Sequence, residues 1–265
     1  MVSMRTLPII ILLLSTSIVT IRGQSSVPDD TLARKLTSGQ VIFGLFSGEK
    51  TPEQGARMAG YSKLDFVFYS LERGPFDLER MQAYVEGMAN AGKVHPILLR
   101  IPPIRADRQA AHVRTGQGLD AGAVGLVFPH VESAEDVKLA VAAVRTRGKT
   151  WPDSDAALLS MLLIEDQVGV DHVREIVSTP GVSIVSPGPG DLRQVYAGDL
   201  EKVESAIQTV LAACLEFNVP WGITAGTEDV VDRITQGFRV IILTAPEALS
   251  IGRRAAGRSG DQSHP

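Results

Sequence analysis

Eight short runs rich in β-branched and aromatic residues alternate along this chain with eight longer amphipathic runs. The short runs are Val41–Phe46, Phe66–Tyr69, Pro96–Arg100, Gly125–Phe128, Leu159–Ile164, Ser183–Val185, Trp221–Ile223 and Val240–Leu243. They are continuously apolar rather than alternating, the pattern of strands covered on both faces. The runs between them read as helices: Pro52–Ala59, Asp77–Ala91, Asp107–Arg114, Ser133–Arg145, Val170–Val177, Leu200–Phe217, Glu228–Thr235 and Pro246–Ala256. Pro52 suits a first helical turn, and Ser133 with Asp136 reads as a capping box. Eight strand–helix units predict a closed parallel (β/α)₈ barrel rather than an open doubly wound sheet. The 265 residues match the roughly 250 that such a barrel needs, in a single domain over residues 35–257.

The ends read differently. A charged Met1–Arg5, an apolar Leu7–Leu14 and the small residues that follow have the zones of a secretory signal peptide over residues 1–23, with an uncleaved anchor as the alternative. Export to the periplasm or beyond is therefore expected. Residues 24–34 read as a polar lead-in and 258–265 as a disordered tail. The net charge is −4, and loss of residues 1–23, which hold Arg5 and Arg22 and no acid, makes it more negative. That argues against nucleic acid, or an anionic membrane surface, as partner. The single cysteine, Cys214, lies in an apolar helical run and reads as core.

In a parallel barrel the chemistry gathers just past the C-terminal ends of the strands. That selects Glu49, Ser70, Glu72, Arg73, Arg100, Pro129, Glu165, Asp191 and Thr224. Glu165 ends an apolar strand, where a lone carboxylate is costly. Asp191 follows a turn of little side chain one βα repeat later. Two carboxylates converging on one rim call for a cation or a shared proton, and hard oxygen ligands suit magnesium or manganese. The alternative is that Glu165 pairs with a lysine or arginine and Asp191 caps the next helix. Gly188 and Gly190 leave N–H groups to cradle an anion. Arg100 either forks onto a carboxylate or enolate oxygen, or forms a buried salt bridge with Glu72 or Glu165. Glu72 and Arg73 also read as a solvated ion pair. His95 and His112 read as surface or structural, and His130 as lying near the rim. No Ser-His-Asp order, phosphate loop or zinc spacing occurs.

Five segments carry a resemblance: Asp65-Phe-Val-Phe-Tyr-Ser-Leu-Glu-Arg-Gly-Pro, Leu98-Leu-Arg-Ile-Pro, Leu119 to Glu135, Leu163-Ile-Glu and Ser186-Pro-Gly-Pro-Gly-Asp-Leu. In this order and spacing the chain resembles the HpcH/HpaI aldolase/citrate lyase family, the metal-dependent pyruvate aldolases, from about Lys35 to Arg254. The resemblance implies a divalent metal (Mg²⁺, Mn²⁺ or Co²⁺) held by Glu165 and Asp191. It implies pyruvate or another 2-oxo acid, together with an aldehyde, as substrates. Arg100 would support the enolate oxygen, Glu72 would orient the metal's waters, Gly190 and Asp191 would cradle the carboxylate, and Pro129 would line the substrate site. Homo-oligomers, trimers or hexamers, are implied as well.

Three departures stand out. Where many members read Asp-x-Glu-His, this chain has Ser70-Leu-Glu72-Arg73, and an arginine, whose pKa exceeds about 12, is no general base. Leu163 replaces an expected glutamine. The excursion Thr146–Ala156, which in relatives helps cover the site, is short. The expectation is a metal-dependent carbon–carbon lyase; the alternatives are a non-catalytic binder of carboxylic acids and a citryl- or malyl-thioester lyase.

Overall fold

The eight apolar runs become eight parallel strands in a computed structural model that describes residues 30–258. They are β1 (Ile42–Phe46), β2 (Phe66–Ser70), β3 (Ile97–Arg100), β4 (Gly125–Phe128), β5 (Leu159–Ile164), β6 (Ile184–Pro187), β7 (Gly222–Ala225) and β8 (Val240–Leu243). Each pairs with its sequence neighbours, β1 also pairs with β8, and a bridge between Val185 and Trp221 joins β6 to β7. The result is a barrel with helices outside, as the alternation requires.

Strand parity divides the apolar residues into two cores. Ile42, Phe66, Phe68, Leu98, Val127, Leu159, Met161, Leu163, Ile184, Val240 and Ile242 pack together inside the barrel. Their neighbours in sequence, such as Phe43, Val67, Leu99, Phe128, Leu162 and Ile164, face the helices. On β5 the inward set runs 159, 161, 163, so the next inward position is Glu165. On β2 and β3 the same parity turns Ser70 and Arg100 inward, and the register places them side by side.

Four local differences from the sequence reading have physical causes. Residues Leu32–Thr37, inside the expected lead-in, form a helix capped by Thr31; Leu32, Ala33 and Leu36 close the bottom of the inner core. Residues Pro189–Val195, expected as turn, form a helix with proline at its first turn. Thr146–Ala156 lies at the end of the barrel opposite the strand C-termini, because it precedes β5: Trp151 packs against the inner core's base and donates to Thr37 Oγ1 at 3.1 Å. It does not cover the rim of its own chain. Arg258, assigned to the tail, forks onto the buried Asp65 at 2.7 and 3.1 Å, alongside Lys35 at 3.0 Å. The leader expected over residues 1–23, the rest of the lead-in before residue 30 and the tail beyond Arg258 lie outside the described residues. Cys214 is buried and its thiol is pushed up to about 12 by that burial, consistent with a core residue.

Candidate active site

At the C-terminal mouth the inward parity of three strands brings Arg100, Ser70 and Glu165 together, and the loop after β2 adds Glu72. Arg100 stacks over the Phe68 ring, 5.4 Å from its centroid, and donates from Nε to Ser70 Oγ at 2.9 Å. Its two terminal nitrogens then reach Glu72 Oε2 at 3.0 Å and Glu165 Oε1 at 3.8 Å. The salt bridge left open in the sequence is thus made to both carboxylates at once. Ser70 is the brace that sets the guanidinium's plane.

His130 enters from the other side. Parity after Val127 would turn it toward the helices, but a left-handed backbone (φ 51°) redirects it to the rim. Its N–H donates to Glu165 Oε2 at 3.0 Å, and its ring nitrogens lie 3.5 Å from Glu72 Oε1 and 3.6 Å from Glu165 Oε2. Glu72 and Glu165 therefore stand between one arginine and one histidine. Ligand atoms of Glu72, His130 and Glu165 all lie within 4.8 Å of one another, close enough to share a metal ion.

Burial sets the electrostatics. Glu165 is almost wholly enclosed, and burial pushes its carboxyl up to about 7, with Asp191 repelling it further and His130 and Arg100 opposing. Glu72 moves the other way, held below the usual carboxylate range by His130 first and Arg100 next. His130 is raised, chiefly by its contact with Glu72 and then by Glu165. Glu72 and His130 favour each other's charged forms while burial disfavours that of Glu165, a cluster of perturbed groups of the kind found at functional sites.

Asp191 sits in the first turn of the helix Pro189–Val195, whose cap position is Gly188 with no side-chain cap bond. Its carboxylate is thus not used in capping. The Gly188 N–H donates to Ile164 O at 2.9 Å and is not available to an anion, contrary to the sequence reading. The first-turn N–H groups of Gly190 and Asp191 have no acceptor within their helix. Gly188 is needed for space: a Cβ there would lie 2.5 Å from Glu165 Cγ.

Two adjoining cavities share Arg100 and Asp191. One, of about 480 Å³, includes Glu165, Gly190, Thr224 and Arg193 in its walls. The other, of about 320 Å³, is lined by Lys50, Ser70, Glu72, Arg73, Arg100 and Asp191. Pro129 is buried and lines neither. Glu49 points away, weakly paired with Arg57 at 4.0 Å. Sequence reasoning missed Lys50, one position beyond Glu49, and left His130 without a role.

The donor set, two buried or half-buried carboxylates facing a third and an imidazole, fits a divalent cation. The family model for "HpcH/HpaI aldolase/citrate lyase" matches residues 43–242. A hydroxypyruvate/pyruvate aldolase of Delftia acidovorans is 26% identical over 90% of this chain and 97% of its own. A 2-dehydro-3,6-dideoxy-6-sulfogluconate aldolase of Pseudomonas putida is 25% identical over 75% of this chain and 84% of its own. The crystal structure of an HpcH/HpaI aldolase from Desulfitobacterium hafniense superposes with a TM-score of 0.66 at 22% identity, covering 89% of this chain and 98% of that one.

Proposed function

Because the chain belongs to the HpcH/HpaI aldolase/citrate lyase family, we propose that it is a divalent-metal-dependent lyase that makes or breaks a 4-hydroxy-2-oxo acid at its carbon–carbon bond, with pyruvate or a close 2-oxo acid as one product. The observation that carries this reading is Glu165: a carboxylate enclosed at the inward end of β5, facing Asp191 and held by Arg100. Glu165 and Asp191 would hold the cation, magnesium, manganese or cobalt. A cation there would supply Lewis-acid polarisation of the 2-oxo acid's keto group.

The chain's own groups do the rest. The Gly190 and Asp191 N–H groups and Arg100 face the cavity where the oxo acid's carboxylate and keto oxygens would lie, so their charge is aimed at developing negative charge. In the cleavage direction the 4-hydroxyl loses its proton, the C3–C4 bond breaks, and its electron pair passes into the enolate of the 2-oxo acid. C3 then takes a proton, and an aldehyde leaves. A guanidinium is no general base, so Arg73 serves as charge. Glu72, fixed between Arg100 and His130, orients what binds beside the cation. Export by the N-terminal leader and assembly into a trimer or hexamer belong to the same proposal.

Exchange of the pyruvate methyl protons in heavy water, followed by NMR with each metal, tests the reading without any choice of aldehyde. Metal-dependent exchange that disappears in Glu165→Gln and Asp191→Asn is the expected result. Folded, metal-binding protein that exchanges nothing would overturn it.

A further inference from the structure

His130 reaches the mouth on a backbone held against its own preference: φ is 51°, a left-handed conformation that residues other than glycine rarely adopt. Two hydrogen bonds fix it there. Its N–H reaches Glu165 Oε2 at 3.0 Å, and the next N–H, of Val131, reaches Leu163 O at 3.1 Å. Both acceptors lie at the C-terminal end of β5, so the ring is mounted on the strand that presents Glu165. Strained residues over-determined in this way cluster at functional sites.

The two ring nitrogens face different carboxylates. Nδ1 stands 3.6 Å from Glu165 Oε2, and Nε2 stands 3.5 Å from Glu72 Oε1. Both gaps exceed an ordinary N–H···O bond of about 2.7–3.2 Å. Two ligands each about 2.1 Å from one cation stand about 3.0 Å apart in an octahedron and about 3.4 Å apart in a tetrahedron. The gap between Nδ1 and Glu165 is closer to that spacing than to a hydrogen bond. Asp166 gives a second mark on the same side of the ring. Its Oδ1 caps the helix Gln167–Asp171 through the Gly169 N–H at 2.8 Å. Its buried Oδ2 has no hydrogen-bond partner among the described residues and lies 4.0 Å from His130 Nδ1, with Arg105 at 3.7 Å. On the other side Glu72, held by Arg100 at 3.0 Å, faces Nε2. A ligating histidine donates its second ring N–H to just such a carboxylate, which fixes its tautomer and orientation.

We propose that His130 Nδ1 is a third protein ligand of the cation, beside Glu165 and Asp191, and that Glu72 holds the ring through its Nε2–H. One nitrogen among oxygens moves the preference of the site from magnesium toward manganese and, further, cobalt, because imidazole suits first-row transition metals better than magnesium. This rests on the cation half of the lyase reading, the holding of a metal by Glu165 and Asp191, and on no step of carbon–carbon cleavage.

The test uses the full, untagged chain. Manganese-loaded protein, made once with ordinary and once with ¹⁵N-labelled histidine, is examined by pulsed electron paramagnetic resonance. A nitrogen coupling of directly bound strength that changes from ¹⁴N to ¹⁵N with the label is the expected result, and His130→Gln should abolish it. Calorimetric titration gives a second readout. His130→Gln should lower cobalt affinity by about tenfold or more and magnesium affinity by much less, so that the cobalt-to-magnesium ratio falls. Stoichiometric manganese without a histidine coupling in the native protein would overturn the proposal even if the variant fails to fold. An unchanged cobalt-to-magnesium ratio in folded His130→Gln would overturn it too. Absence of any metal binding would remove the cation assigned to Glu165 and Asp191 together with this ligand. A histidine coupling in native protein that exchanges no pyruvate protons would instead fell the lyase reading and leave the ligand in place.

Discussion

Glu165→Gln is expected to remove most of the pH dependence of stability of the metal-free protein between pH 5 and 8. The Glu165 carboxyl titrates at about 7 in the folded chain against an ordinary 4.5, because burial and Asp191 disfavour the ion more than His130 and Arg100 support it. Below about pH 4.5 the group is protonated folded and unfolded, so it contributes nothing. As pH rises the unfolded chain gains by ionising while the folded chain does not, and stability falls until the folded pKa is passed. A raised carboxyl pKa thus destabilises above 4.5, the opposite sign to a salt-bridged acid. Two and a half units at about 1.4 kcal/mol each give roughly 3 kcal/mol, and a side chain only 3% exposed is little screened. For a domain of this size that is roughly 6–12 °C in Tm. Calorimetric scans of EDTA-treated native protein and Glu165→Gln across this range are the assay. The Tm difference should widen by that amount in favour of the variant, any constant packing offset cancelling. His130 also loses stabilising charge as pH rises; Glu72, its main partner, remains in both proteins, while its attraction to Glu165 is lost in the variant and enters the difference. Excess manganese at pH 8 should raise the native Tm and leave the variant's in place. Parallel curves, or a difference that narrows toward pH 8, would refute the electrostatic account of this site.

Asp191→Asn should return Glu165 toward the ordinary carboxylate range, shrinking the same pH-dependent loss, while weakening manganese binding measured by calorimetry. Gly188→Ala places a methyl 2.5 Å from Glu165 Cγ; displacing that side chain should cost about 1–3 kcal/mol in urea unfolding and at least tenfold in manganese affinity. Asp65→Asn strips the charge partner from Arg258 and Lys35 at the barrel's base and should destabilise by about 3 kcal/mol, with catalysis in the surviving folded protein unchanged. Asp65 is held below the usual carboxylate range against its own burial, chiefly by Arg258 and the Phe43 N–H. Its contribution is therefore present above its unfolded pKa and disappears as pH falls through the lower, folded one.

The barrel was legible because each strand is a short β-rich run whose two faces are both covered, so period and length agreed. Glu165 was legible because a carboxylate directly after Met161-Leu-Leu-Ile has nowhere apolar to go. Parity along β5, once the strand's limits are known, aims it inward. The helix Leu32–Thr37 escaped because six residues with three apolar positions make no distinct period. Pro189–Val195 escaped because Pro-Gly-Pro-Gly reads as turn, although proline in a first turn begins a helix equally well. His130 was legible as lying near the rim but not as a partner of Glu72 and Glu165: its entry depends on one left-handed residue, and histidine carries no sequence mark of that conformation. Lys50 was hidden by the same loop freedom, one residue past the position that strand counting favours.

Ser70 and Arg73 together bear on whether the departures from an Asp-x-Glu-His pattern, which the sequence resemblance implies, would mark decay or redirection. An aspartate at position 70 would set another carboxylate beside Glu72, Glu165 and Asp191, against the Arg100 Nε that Ser70 now receives at 2.9 Å. Serine removes that negative charge while keeping Arg100 anchored, and arginine in place of histidine adds a positive charge that no physiological pH removes. Both changes therefore raise the potential of the same cavity, the one into which Lys50 also points its charge. Loss of function by drift has no reason to preserve the brace on Arg100, the enclosure of Glu165 and the space left by Gly188 while altering two rim residues in one electrostatic direction. A working lyase site does, because the brace, the enclosure and the space are what hold a cation and a guanidinium at the charge that develops on the 2-oxo acid.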